Sequence, residues 1–179
     1  MIFAFIFNAN NRKGFLLLFR REMEVMTKQN KHSQVVVKDL LNGAIEAVNQ
    51  VIPLKPSILK PESKEDPIEL SFGVLIGFVG DIKGKIMFVG DAETFANIGE
   101  IMFGMPVEGE MLTSFSGELG NMIAGNLSTN IHAKGWTIDI TFPTMMEGTT
   151  RLQGFKNGIK LPISYDDSGQ LDIYLLLDE

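Results

Sequence analysis

Two side chains with complementary chemistry stand three residues apart in the stretch SFSGELGNMIAGNLSTN, residues 114–130: the carboxylate of Glu118 and the carboxamide of Asn121. Four kinds of chemistry could use them. Glycoside hydrolysis takes two carboxylates, and one is here. A metal centre wants more ligands, preferably histidine or several carboxylates, and nothing in the sequence brings Asp139 close. Covalent catalysis would need Ser114 activated by a base, yet His132 lies about five turns away along the same segment. Water positioning fits better. A carboxamide is both donor and acceptor, so it can hold a water in line for attack on a phosphoryl group, as a glutamine does in some GTPases. Like charges keep the glutamate off the phosphate, so its natural partner is a lysine on whatever carries that phosphate.

These residues must sit on a helix, expected over about Thr113–Ala133 from the 3.6-residue spacing of its apolar positions. With Glu118 set at zero and about 100° per residue, Asn121 falls at about −60°, Ser114 at about −40°, Gly125 at about −20° and Met122 at about +40°. Leu119, Ile123, Leu127 and Ile131, with Ala124 beside them, form the opposite, apolar face. Three glycines, 117, 120 and 125, interrupt this helix, each costing about 1 kcal/mol relative to alanine. Gly120 points toward the apolar stripe and Gly117 borders the polar face. Gly125 leaves that face bare one turn beyond Asn121, which suits the close approach of another backbone. Pattern alone leaves three readings of the face: solvated, protein-docking or catalytic. E-x-x-N arises by chance about once in a chain of this size, and Glu46–Asn49, with Asn42 beside it, is a second copy.

The surrounding elements are expected in the order helix, strands, helix, helix, strands. QVVVKDLLNGAIEAVNQVI places Val37, Leu40, Leu41, Ala44, Val48 and Val51 on one stripe, with Ser33 as N-cap. The proline-rich PLKPSILKPESKEDP must be extended or loop. IELSFGVLIGFVGDIKGKIMFVGD reads as a hairpin turning at GDIKG. Asp91 starts a helix that Gly104 ends. GWTIDITF reads as a strand stopping at Pro143, and two more strands join at DDSG. Each half opens with a long helix and closes with a hairpin. The fold class expected is α+β, a mainly antiparallel sheet packed by long helices, with an internal pseudo-repeat.

Composition narrows the function further. A net charge of −6 with no basic run argues against nucleic acid. The absence of cysteine removes thiolate sites and disulfides and fits a cytoplasmic protein. Residues 1–32 are set apart as an N-terminal extension, with 33–179 as one domain. The apolar runs of the extension are shorter than the ~20 residues a membrane span needs. Three readings are open for it: a start assigned too early, with Met26 the true first residue, a disordered segment, or an amphipathic arm.

GELGNMIAGN, followed after a strand by DITFPT, resembles the CheX branch of the CheC, CheX and FliY chemotaxis phosphatases. The resemblance runs along most of Ser33–Glu179, KLPIS included. Its motif, an acidic or serine residue, then E-x-x-N, then a proline, falls on Ser114, Glu118, Asn121 and Pro143, with the proline about one residue nearer than in the family pattern. The resemblance implies a phosphatase acting on CheY-P, an aspartyl phosphate on a response regulator. Glu118 would pair with the regulator's lysine and Asn121 would orient the attacking water. Ser114 would cap or support, and Gly117, Met122, Gly125 and Pro143 would support the site or meet the partner. The chain itself would need no cofactor, the Mg²⁺ belonging to the regulator. It further implies a homodimer joined through sheet edges. A non-enzymatic docking module, or a component of the flagellar switch, is the alternative. Glu46 and Asn49 lack the glycine-rich surround and a proline at the matching distance, which weighs against a second site.

Overall fold

The structure, a computed structural model, describes residues 31–178. The readings of the N-terminal stretch up to residue 30, a start at Met26 among them, lie outside the described residues. Helix α1 (Lys31–Val51) buries Val37, Leu40, Leu41, Ala44, Val48 and Val51, as their spacing predicts. Its backbone is already helical at Lys31, so Ser33 lies within the first turn and is not the N-cap. The proline-rich connection forms two short strands, β1 (Pro56–Ile58) and β2 (Glu62–Lys64), at a sheet edge. Pro56 is tolerated there as the first residue of its strand.

The GDIKG hairpin is present as β3 (Ile68–Gly80) and β4 (Gly84–Val89). Helix α2 (Ala92–Phe103) follows, with Asp91 at the N-cap position but making no side-chain cap bond, and Gly104 ending it at φ 71°. Left-handed backbone at that position is what glycine permits. Helix α3 (Gly109–His132) starts four residues before the expected Thr113, because Glu108 is extended and takes the N-cap position. An acidic first turn with Glu110 suits the positive end of the helix dipole. The remaining strands are β5 (Ile138–Ile140), β6 (Thr144–Leu152), β7 (Asn157–Tyr165) and β8 (Gly169–Leu177).

The strand expected from GWTIDITF is cut to Ile138–Ile140, and pairing resumes just past Pro143. Ile140 faces Phe78 and Thr144 faces Leu75, so one side of the ladder holds a residue more than the other. The segment Thr141–Pro143 is thus a bulge within one long edge strand. Proline is accommodated there because its missing N–H falls where pairing is interrupted.

All strand pairs are antiparallel, in the order β1-β7-β8-β4-β3-β5, with β2 beside β7 and β6 beside β3. The expected pseudo-repeat is visible in the strand order, which runs outward from the central β4–β8 pair through β3 to β5 and β6 on one side and through β7 to β1 and β2 on the other. Each half supplies a helix, a bulged edge strand and a hairpin. The edge strand of each half pairs with the hairpin of the other, β1 and β2 with β7, β5 and β6 with β3. Neither half therefore completes its own sheet, and residues 31–178 form one unit.

Helices α1 and α3 lie on one face of the sheet over a core that includes Leu40, Val48, Val74, Ile76, Phe88, Leu119 and Ile123. Two glycines allow the close packing. A Cβ at Gly43 would come 2.9 Å from Leu127 Cδ1, and one at Gly120 would come 2.9 Å from Val74 Cγ1. Helix α3 is thus seated directly on β3 and β4, which holds its outer face in a fixed place.

Candidate functional site

The face of α3 turned away from the core carries Ser114, Glu118, Met122 and Thr129, all exposed, with Asn121 and Gly125 partly exposed. Among the described residues, neither Glu118 nor Asn121 has a hydrogen-bond or ion-pair partner. Two neighbours are turned back onto the helix: Asn126 Nδ2 donates to Met122 O at 2.9 Å, and Thr129 Oγ1 donates to Gly125 O at 3.2 Å. This keeps the surface low around Gly125, where an added Cβ would meet nothing within 4 Å. Nothing inside the chain therefore requires glycine at position 125.

Gly120 has an internal reason: it makes room for Val74 and Phe88, as its position on the apolar stripe predicts. Gly117 is buried, not part of the open face. Its Cβ would lie 3.7 Å from Met145 Sδ and 4.0 Å from Pro143 Cγ, ordinary contact distances, so the position faces the Thr141–Pro143 bulge one turn before Asn121 without itself demanding glycine. Ser114 is well inside α3, five residues past Gly109, so it is not a capping residue. Its hydroxyl faces solvent on the same side as Glu118.

The bulge is firmly held. Thr141 N donates to Gly77 O at 2.9 Å, and Gly77 N donates to Thr141 Oγ1 at 2.9 Å. On either side, Ser128 Oγ donates to Ile138 O at 2.6 Å, and Thr113 Oγ1 donates to Glu147 Oε1 at 2.8 Å. The edge strand therefore runs along the Asn121 side of α3. It presents Phe142, whose ring is 93% exposed, the most exposed large apolar side chain among the described residues. Reading residue types alone does not reveal Phe142. The available signal was an aromatic residue directly before the motif proline in DITFPT.

Several sequence alternatives are separated by geometry. His132 is exposed at the far end of α3 and lines a shallow cleft of about 300 Å³ with Ser128, Thr129 and Asp139. It is not brought to Ser114. Among the described residues no group of three histidine, aspartate or glutamate side chains could hold a metal, and no helix is long and apolar enough to cross a membrane. Glu118 and Asn121 line neither that cleft nor a second one near Glu65 and Phe155. They stand on the exposed outer face of α3.

The second E-x-x-N does not reproduce this arrangement. A proline does occupy the equivalent bulge: Ile58 faces Ile163 and Glu62 faces Lys160, so Leu59–Pro61 matches Thr141–Pro143 in register. Leu59 N donates to Pro162 O, just as Thr141 N donates to Gly77 O. However, Asn49 precedes Pro61 by 12 residues and Asn121 precedes Pro143 by 22, although both helices end five or six residues before their edge strand. At 1.5 Å per residue, Glu46 and Asn49 lie about 15 Å too far along α1 to meet that bulge. Asn49 Nδ2 is also tied to Ile45 O at 2.9 Å.

The family model described as chemotaxis phosphatase CheX matches residues 72–163, a segment of half the chain that holds α3 and the bulge. A protein named CheY-P phosphatase CheX from Thermotoga maritima is 32% identical over 146 residues, covering 78% of this chain and 94% of that protein. The chain belongs to the CheX family. Solved structures share the fold of this CheX-family chain. A chemotaxis protein CheX from Desulfovibrio desulfuricans superposes with a TM-score of 0.69 at 15% identity, covering 80% of this chain and 99% of that one. The CheX chain of a CheX-CheY-BeF3-Mg complex from Borrelia burgdorferi gives 0.66 at 24% identity, covering 80% and 97%.

Proposed function

We propose that this chain is a CheY-P phosphatase: it hydrolyses the aspartyl phosphate of a phosphorylated response regulator and so ends a chemotaxis signal. The observation that carries the assignment of residues is the unpartnered Glu118–Asn121 pair on the exposed face of a helix packed closely on the sheet. Water attacks phosphorus, the bond from phosphorus to the aspartyl oxygen breaks, and inorganic phosphate and a free carboxylate result. Asn121 contributes position. Its Oδ1 accepts a hydrogen bond from the water, and its Nδ2 donates to the oxygens on which charge gathers. Glu118 pairs with a lysine of the regulator and fixes the approach of the helix. No covalent intermediate forms on this chain. The chain supplies no cofactor, and the Mg²⁺ that the reaction uses belongs to the regulator.

The reading requires a cytoplasmic protein with a protein substrate. It also includes a homodimer through a sheet edge. Support comes from β6, nine residues long and paired on one side only, with β3, among the described residues. Such an edge accepts a second strand. A monomer at tens of micromolar in sedimentation equilibrium would refute the dimer.

The direct test is release of phosphate from a phosphorylated CheY-type regulator. Wild type accelerates it, and Asn121→Ala slows the catalysed reaction by about 10²–10³-fold, the usual cost of removing one preorganised hydrogen-bonding group. Glu118→Lys raises KM through like-charge repulsion. An Asn121→Ala variant as fast as wild type rejects the catalytic role.

A further inference from the structure

We infer that Phe142 is the apolar anchor by which the phosphorylated response regulator is held beside Asn121, its ring packing into an apolar depression next to the regulator's phosphorylation site. This rests on the phosphatase reading above. A benzyl group 93% exposed to water is unfavourable unless something covers it. Here the exposure is built in, because the loop is fixed on both sides. Thr141 exchanges two hydrogen bonds with Gly77, and Pro143 faces α3 at Gly117. The backbone that carries the ring has little conformational freedom left to lose on binding, which favours affinity.

Its position names the occupant. The bulge follows the Asn121 side of α3, and Met122, 39% exposed, lies on the other side of Glu118. The polar pair thus has an exposed apolar side chain on each side. The bulge that carries Phe142 adjoins α3 at Gly117, one turn before Asn121, so a protein that puts a phosphoryl group against Asn121 comes up beside this loop. The pseudo-equivalent bulge provides an internal contrast. It has the same register and the same proline, yet carries Lys60 where Phe142 stands, on the half whose E-x-x-N is out of reach. The aromatic ring accompanies the usable pair and not the fold.

The test is steady-state hydrolysis of the phosphorylated regulator, with binding of the beryllofluoride-loaded regulator measured alongside. Phe142→Ala should raise KM by about 10–30-fold, leave kcat within about twofold, and weaken binding of the beryllofluoride form by the same factor. Phe142→Leu should recover part of the loss. The melting temperature should not change, because the side chain packs on nothing in this chain. An unchanged KM and affinity overturns the anchor while leaving hydrolysis by wild type and its loss in Asn121→Ala intact. A wild type that neither binds nor dephosphorylates the regulator overturns the phosphatase reading itself. Dissociation of a dimer by Phe142→Ala would assign the ring to a second copy of this chain and also overturns the proposal.

Discussion

Replacing Gly125 should make the protein more stable and a worse phosphatase. The residue lies within α3 and has no positive φ, and an added Cβ meets nothing within 4 Å. No clash therefore opposes the gain in helix propensity, about 1 kcal/mol for Gly125→Ala and nearly as much for leucine. For a domain of this size that is a rise of about 2–4 °C in Tm. Trp136 is the only tryptophan, and its Nε1 donates to Asp39 Oδ2 at 3.1 Å, linking the end of α3 to α1. Its fluorescence therefore reports loss of the helix pair. If the bare surface at Gly125 is where a regulator's backbone comes close, a methyl group there overpacks the interface by about 1–3 kcal/mol. That lowers kcat/KM by about 5–150-fold, more for Gly125→Leu than for Gly125→Ala. Raised stability with unchanged kcat/KM in both variants would refute the clearance argument. A fall in Tm would refute the claim that nothing inside the chain needs this glycine.

Gly120→Leu should behave in the opposite way, destabilising by about 1–3 kcal/mol through overpacking against Val74 and Phe88; urea denaturation with an unchanged midpoint would contradict the seating of α3. Asn49→Ala should leave hydrolysis unaltered, because its amide is spent on Ile45 O and lies far from the Pro61 bulge; a rate loss comparable to Asn121→Ala would revive a second site. Burial pushes the phenol of Tyr165 well above its ordinary 10.0, and the hydroxyl has no partner among the described residues. Because the unfolded chain releases that proton first, the associated stability is present below pH 10 and lost as pH rises above it. At Lys160 burial works downward, but the hydrogen bond and charge of Asp172 at 2.8 Å outweigh it and raise the pKa above 10.5, so this pair too loses stability in strong alkali. Tyr165→Phe should gain about 1 kcal/mol at pH 7 by removing an unsatisfied buried group and should flatten the alkaline loss above pH 10. A variant less stable than wild type across that range would show that the hydroxyl has a partner.

Local periodicity carried most of the reading of α3. Leu119, Ile123, Leu127 and Ile131 are buried and Glu118 faces solvent because a helix repeats every 3.6 residues whatever surrounds it. The hairpins were legible for a similar reason, since a short turn and the strands it joins are neighbours in the chain. The element ends were less legible. Ser33 and Thr113 looked like boundaries by residue type, while the helices run past them because a cap competes with simple continuation. The sequence placed Gly120 on the buried stripe but could not show what Gly117 and Gly125 face. That depends on Pro143 and Met145 beside Gly117 and on open space at Gly125.

What the amino-acid sequence determined by itself was a helix with one greasy side and one carrying a carboxylate, a carboxamide and a bare glycine. What the tertiary structure alone decided was which of two E-x-x-N pairs could be used, and what stands beside it. Both questions turn on contacts between residues far apart in the chain. Antiparallel pairing of β5 and β6 with β3 leaves one unmatched residue, so the strand bulges at Thr141–Pro143 and sets Pro143 facing the Gly117 turn of α3, 26 residues earlier in the chain. No local rule encodes that register, because it is set by closing a sheet in which each half supplies the other's edge.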